Sequence, residues 1–452
     1  LLGDRVGWAD LPELPELDNL FAPGGVIQQA QILAAETFGA EQTWFLANGS
    51  TSGVMAAMLA TCNPGDPVIL PRNVHQSVIS GLVLTGAMPI FIEPEADPQL
   101  DLAHCVAPSA IAQALIDHPN ARAVLIVSPT YLGVCGHVAA IADLCHAHHL
   151  PLIVDEAHGA HFGFHPDLPI SALQAGADVA IQSTHKVLTA LTQAAMIHAQ
   201  GDRIDRDRLT KALAIVQSTS PNYLLLASLD AARRQMALHG KAFLTKTLRL
   251  ASEARSRLAE IPGLTVLDWP KADSPGVFDY DRTRLTVTVS GFGLDGFTAD
   301  DWLNQHCGVI AELPTLHHLT LIFTVGNTQE DCDRLVEGLE RLRQEAGGRA
   351  AGWRLEGPGK AGEREAAAPL VKAVSPRDAF FAPQETVAIA AAVNRISAEL
   401  VCPYPPGIPI LLPGEVVTAA AIAQVQQILA AGGVVSGCRD PTLATLRVLR
   451  NL

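Results

Sequence analysis

Short unbroken runs of apolar residues recur through the first half of the chain: Val68-Ile69-Leu70, Ile90-Phe91-Ile92, Val124-Leu125-Ile126-Val127, Leu152-Ile153-Val154, Val179-Ala180-Ile181 and Met196-Ile197. Runs that do not alternate with polar residues suit strands covered on both faces by helices, as in a mostly parallel sheet. Between them the spacing changes. Val26, Ile27, Ala30, Leu33, Ala34 and Phe38 follow the intervals of one buried helical face, and Val138, Ile141, Leu144 and Cys145 predict a crossover helix. From about residue 26 to 200 the pattern is that of an α/β domain.

Beyond a helical stretch near 206–260 the pattern shifts again. Leu285, Val287 and Val289 alternate with polar residues, and Leu319-Thr320-Leu321-Ile322-Phe323 forms a further strand-like run. A sheet with one covered face fits, as in a small α+β domain. Residues 346–368, rich in Gly, Ala and charge, read as a linker. The expected division is a large domain over 1–262, a small domain over 263–345, the linker, and a third unit over 369–452.

Composition narrows the class. The 452 residues are 48% hydrophobic and 17% charged, which suits a folded globular protein. A formal net charge of −15 argues against nucleic-acid or anionic-membrane partners and suits a cationic small molecule. Eight scattered cysteines with no C-x-x-C pair read as buried thiols in a reducing compartment. With no apolar run near the ~18 residues of a membrane span and no signal-peptide pattern, cytosol is the expected location.

Ligands of an open parallel sheet bind beyond the carboxyl ends of its strands, so the polar residues that follow each run carry the chemistry. Asp155-Glu156-Ala157-His158-Gly159 follows one run, Gln182-Ser183-Thr184-His185-Lys186 another, and Pro71-Arg72-Asn73-Val74-His75 a third; Asn48-Gly49-Ser50-Thr51-Ser52-Gly53 opens a helix. These segments match the parts of pyridoxal 5′-phosphate. Ser50 and Thr51 at a helix start offer N–H groups and hydroxyls to a phosphate. Asp155 can keep a pyridine nitrogen protonated, which makes the ring an electron sink. Lys186 can bind the cofactor covalently once its amine is partly deprotonated. His75 can stack on the ring, and Ser183 and His185 can reach its phosphate. Taken singly, each has an ordinary structural alternative as a cap, turn or surface residue; the joint pattern singles them out.

Two other motifs lead elsewhere. Asp155-Glu156-Ala157-His158 spells a helicase box, but no G-x-x-x-x-G-K-[ST] loop accompanies it. His158, His161 and His165 have metal-like spacing without a further partner set, and no metal is expected.

These residues resemble the fold-type-I pyridoxal-phosphate decarboxylases acting on ornithine, lysine and arginine, in their short bacterial subgroup. The resemblance spans nearly the whole chain and is strongest over Asn48–Gly53, Arg72–Ser77, Ser128–Gly133, Asp155–His165, Ser183–Lys186 and Ser218–Leu229. Ser375–Phe381 and Pro403–Pro409 resemble that family's own C-terminal domain. The resemblance implies a PLP-binding α/β large domain, a small α+β domain and the family-specific terminal domain. It implies Lys186 as Schiff-base lysine, Asp155 as ring-nitrogen partner, His75 as stacking residue and His158 beside the phenolic oxygen. Ser50, Thr51, Ser183 and His185 would hold the phosphate, and Ser220 would reach the partner subunit's phosphate in a homodimer or higher homo-oligomer. The implied reaction is decarboxylation of a basic amino acid in polyamine metabolism, arginine ahead of lysine and ornithine. A guanidinium wants a bidentate carboxylate partner, for which Glu312, in the small domain, is the candidate; the alternative is that Glu312 is a solvated strand-end residue. The P-G-H-K segment with which the family opens is absent, which implies an entry side that lacks those residues.

Two rival readings are a different fold-type-I reaction, such as transamination or aldol cleavage, and a catalytically inactive regulator on the same fold. Aminotransferases clamp the substrate carboxylate with a small-domain arginine, whereas His306 through Gln329 contains neither Arg nor Lys. The intact Lys186, Asp155 and His75 speak against an inactive protein.

Overall fold

The computed structural model describes residues 4–14, 16–97, 102–267, 276–348, 374–404 and 407–450. Its contacts divide the chain into two compact units. The first takes the described residues up to 246 with 276–281 and 324–326, and the second takes the remainder.

The apolar runs of the first unit become strands. They are β1 (Gln42–Leu46), β2 (Pro67–Pro71), β3 (Met88–Ile92), β4 (Ala123–Val127), β5 (Leu152–Asp155), β6 (Val179–Gln182) and β7 (Ala195–Ala199). They form one sheet in the order β1-β7-β6-β5-β4-β2-β3. The pairs from β6 through β3 are parallel, and β7 and β1 are added antiparallel at one edge. The sheet is mostly parallel, as the runs predict. The longer helices up to residue 259 are α1 (Val26–Phe38), α2 (Gly49–Thr61), α3 (Gln76–Thr85), α4 (Pro108–Asp117), α5 (Val138–Ala147), α6 (Arg206–Val216) and the long α7 (Tyr223–Ala259).

Helices cover both sheet faces. Val124, Leu152, Val154 and Ala180 point to one face, where they join Ile111 of α4 and Ile141 and Cys145 of α5 in one core. On the other face α2 lies very close. A Cβ added at Gly53 would sit 2.7 Å from Leu46 Cδ1 and 2.9 Å from Ile181 Cγ2, so any larger residue would have to push these side chains aside. The helical face of α1 differs from the expected one: Ile27, Ala34, Ala35 and Phe38 are buried, whereas Val26 and Leu33 are exposed.

The second unit holds an antiparallel sheet of β8 (Thr265–Val266), β9 (Arg284–Thr288), β10 (Leu313–Pro314) and β11 (His318–Ile322), in the order β8-β9-β11-β10. Leu285, Val287 and Leu319 pack against Trp302 and Leu303 of α8 (Gly296–Cys307) and Leu335 and Leu339 of α9 (Gln329–Gly348). The expectation of one covered face needs correction. The alternate residues Arg284, Thr286 and Thr320 are also 0% exposed, and the two threonine hydroxyls satisfy each other at 2.9 Å. Polar alternation therefore marks a buried, hydrogen-bonded face here and not a solvated one.

Residues 349–368 of the stretch read as a linker lie outside the described residues, as do Pro405 and Pro406. The terminal part carries α10 (Pro376–Phe381), α11 (Ala419–Ala430), and two antiparallel pairs: β12 (Gln384–Ala388) with β15 (Thr445–Leu449), and β13 (Cys402–Tyr404) with β14 (Val434–Ser436). Val401, Leu411, Val425, Val435 and Val448 form its core. Among the described residues no helix is long and apolar enough to cross a membrane.

Candidate active site

The parallel ladder delivers its chemistry at the strand ends. Asp155 is the last residue of β5 and lies opposite Ile181 of β6, so the segment after β6 starts beside the segment after β5. The ladder continues past the strands, with Ser128 N donating to Asp155 O at 3.2 Å and Glu156 N to Ile181 O at 2.9 Å. One helical turn, Thr184–Val187, then presents Lys186.

Lys186 Nζ lies 3.0 Å from His158 Nε2 and 5.5 Å from the centroid of the Tyr131 ring. Tyr131 and His158 are themselves in contact, centroids 4.5 Å apart. The charge of Lys186 also reaches Asp155, His75 and His185. Asp155 is 5% exposed; burial raises its pKa, while Lys186 and the Ala157 N–H, which donates to Oδ1 at 3.2 Å, act the other way. Burial, and after it the Lys186 charge, pushes His75 down to about 4, so its imidazole is neutral across the working range. His75 caps α3: its Nδ1 lies 3.2 Å from Ser77 N and 2.9 Å from Ser77 Oγ, which fixes the ring. His185 is held down by the same two causes, burial first.

The start of α2 is drawn to this cluster. Gly49 adopts φ +73°, and Ser183 Oγ donates to Ser50 Oγ at 2.7 Å, which ties the helix start to the turn that carries Lys186. Thr51, in the first turn of α2, is exposed. Thr184 Oγ1 is buried in the same turn with no hydrogen-bond partner among the described residues. The loop after α6 is tethered here as well, through Ser218 N to Asn48 Oδ1 at 3.2 Å; Ser220 in that loop is exposed.

The first unit thus brings together Lys186, His158, Asp155, His75, His185, Ser183 and Ser50. Glu312 lies in the second unit, exposed, its N–H bonded to Thr320 O at 2.9 Å. The three histidines with metal-like spacing face separate partners: His158 meets Lys186, His161 meets Asp281 at 3.1 Å, and His165 meets Thr245 Oγ1 at 3.0 Å. Residue-by-residue reading did not single out Tyr131, although it follows the run Val124–Val127 within Ser128-Pro129-Thr130-Tyr131 and is reached by asking of β4 what was asked of its neighbours.

Residues 1–331 match the major domain of Orn/Lys/Arg decarboxylases, and residues 365–434 match the C-terminal domain of the same proteins. The chain belongs to the Orn/Lys/Arg decarboxylase family. As a family member it is a decarboxylase of a basic amino acid. This decarboxylase is 40% identical to an arginine decarboxylase of Bacillus subtilis, over 99% of this chain and 90% of that one. It is 38% identical to an arginine decarboxylase of Halalkalibacterium halodurans, with the same two coverages. In fold, the decarboxylase is similar to lysine decarboxylase A from Pseudomonas aeruginosa, with a TM-score of 0.81 and 25% identity over 98% of this chain and 74% of that one.

Proposed function

We propose that the enzyme decarboxylates arginine, ahead of lysine and ornithine, with pyridoxal 5′-phosphate bound through Lys186. The observation that carries the reading is the convergence of Lys186, His158, Asp155 and His75 at adjoining strand ends, with Lys186 Nζ 3.0 Å from His158 Nε2. The donor set fits the cofactor. Ser50, Thr51, Ser183 and His185 would hold the phosphate, and the orphaned Thr184 hydroxyl has a donor to spare in the same turn. A protonated ring nitrogen would give buried Asp155 the positive charge that favours its ionised form. Neutral, fixed His75 suits stacking on an aromatic ring.

The cofactor would supply an electron sink for the pair released when the carboxylate leaves as carbon dioxide. The chain's own residues do the rest. Asp155 holds the proton on the ring nitrogen, and His75 holds the ring plane. His158, within hydrogen-bond distance of Lys186, passes or accepts the proton that the amine must lose and regain. Lys186 would anchor the cofactor between turnovers, and its amine would serve as a proton donor to the substrate carbon that loses the carboxylate.

Arginine is placed first because relatives named arginine decarboxylase reach 37–40% identity, whereas a Pseudomonas aeruginosa relative named lysine decarboxylase stands at 26%. The net charge of −15 favours a cationic substrate. Glu312 is the proposed guanidinium partner. A cytoplasmic homodimer or higher homo-oligomer in which Ser220 serves the partner's phosphate site, a role in polyamine metabolism, and domains over 1–262, 263–345 and 369–452 with a linker over 346–368 complete the reading.

The test is amine release from arginine, lysine and ornithine, with borohydride reduction to locate the cofactor. The reduced adduct is expected on Lys186 and absent in Lys186→Ala. An adduct on another lysine overturns the site, a preference for lysine or ornithine overturns the ranking, and activity only on neutral or acidic amino acids overturns the substrate class.

A further inference from the structure

Below the site, on the sheet face opposite Asp155, four buried polar side chains join from the end of β5 across β6, β7 and β1. Side chains alternate along a strand, so Glu156 points away from Asp155 and stands beside Gln182. Glu156 Oε1 accepts from Ala172 N at 2.7 Å, and Oε2 accepts from Gln182 Nε2 at 2.8 Å. Gln182 Oε1 lies 3.2 Å from His198 Nε2 on β7, and His198 Nδ1 lies 2.8 Å from Thr43 Oγ1 on β1. Glu156, Gln182, His198 and Thr43 are each no more than 2% exposed, and the Phe38 ring stacks on His198 at 4.9 Å.

The chain has a direction. Burial pushes His198 down to about 3, so its imidazole is neutral and carries one donor and one acceptor. Above about pH 8, where buried Glu156 gives up its proton, its carboxylate only accepts. Gln182 must then turn its NH2 toward Glu156 and its oxygen toward His198, which puts the imidazole proton on Nε2 and leaves Nδ1 to accept from the Thr43 hydroxyl. Each link sets the next.

Its place explains its use. Glu156 follows Asp155 directly, and Gln182 opens the segment that leads to Lys186. The Glu156–Gln182 bond ties the ends of β5 and β6 where they hand over to the site. We propose that Glu156, Gln182, His198 and Thr43 are positioning residues, a one-way hydrogen-bond chain that fixes the relative setting of the strand ends carrying Asp155 and Lys186. This rests on the reading of those two residues as the cofactor-holding pair.

Exchanging the two side chains tests it in the holoenzyme. At pH 9, above the value at which Glu156 gives up its proton, Gln182→Glu alone sets two carboxylates against each other. Adding Glu156→Gln restores every link: the amide now at position 156 donates to the carboxylate now at position 182 and still accepts from Ala172 N, and that carboxylate accepts from His198. At that pH Gln182→Glu should lower kcat by about 100-fold with little change in KM, as expected when reacting groups are displaced by about an ångström. The double variant should recover most of the loss. A Gln182→Glu enzyme with wild-type kcat, or a folded double variant no better than the single one, overturns the proposal.

Nitrogen NMR of labelled histidine at pH 9, on the holoenzyme, reads the chain without reference to activity. His198 should carry its proton on Nε2 in wild type and in the double variant, and on Nδ1 in Glu156→Gln alone. An Nδ1–H tautomer in wild type overturns the chain even if Gln182→Glu does not fold. Borohydride trapping on wild type separates the failures: no adduct at Lys186 removes the site reading, while the tautomers still report on the chain.

Discussion

Glu156→Gln should make the protein relatively more stable as the pH rises, by an amount the structure sets. The Glu156 carboxyl is 1% exposed and bonded only to neutral donors, the Ala172 N–H and the Gln182 amide. Burial is the largest influence and raises its pKa from an ordinary 4.5 to about 8; the two hydrogen bonds only partly oppose it. Between those values the folded protein keeps a proton that the unfolded chain has lost. Folding stability then falls by about 1.4 kcal/mol per pH unit, and by about 5 kcal/mol across the whole window. The contribution is favourable below 4.5, declines through the window and levels off above 8. Glutamine is nearly the same size and does not titrate there, so the variant loses this slope alone. Urea unfolding of both proteins at a series of pH values from 4.5 to 9, with equal m-values, gives the difference directly. The cost of reversing the chain's hydrogen bonds enters as a constant offset. A difference that stays flat, or that falls toward high pH, would refute the reasoning.

Three further outcomes are expected. Asp155→Asn should retain cofactor but lose turnover by several orders of magnitude, since an amide cannot hold the ring nitrogen protonated; near-normal turnover would show the pairing to be wrong. Gly53→Ala places a methyl 2.7 Å from Leu46 Cδ1 and 2.9 Å from Ile181 Cγ2, and should cost about 1–3 kcal/mol with a lowered Tm and weaker cofactor retention. Glu312→Gln should lower kcat/KM for arginine more than for lysine or ornithine; equal effects on all three would make Glu312 a solvated strand-end residue.

Much of this was legible in the chain because its causes are local. Six apolar runs mark six of the seven strands of the large sheet, since a strand covered on both faces must be apolar throughout. Position then does the rest: ligands of a parallel sheet bind beyond the carboxyl ends of its strands, so Asp155 and the turn bearing Lys186 could be named before the fold was known, whereas Glu156 and Gln182 at the same ends turn to the buried face. β1 escaped because its run, Gln42-Thr43-Trp44-Phe45-Leu46, opens on polar residues, one of which proves to be a buried link to His198.

The tertiary structure alone decided which residues meet. Thr43 and His198 are 155 positions apart, and nothing in either neighbourhood indicates that a hydroxyl will satisfy that imidazole. The same holds for Tyr131 against Lys186 and His158, and for Thr286 and Thr320, polar positions that alternation assigns to solvent and the fold buries against each other. Periodicity records which side of an element is covered only when the cover is apolar. Where a buried face is polar, its stability comes from partners brought in from distant strands, and those partners exist only once the sheet order is set. The sequence therefore determined the strands, their ends and the polar residues placed there; the fold determined which neighbours those residues meet, because hydrogen-bond satisfaction and desolvation are properties of a place and not of a residue.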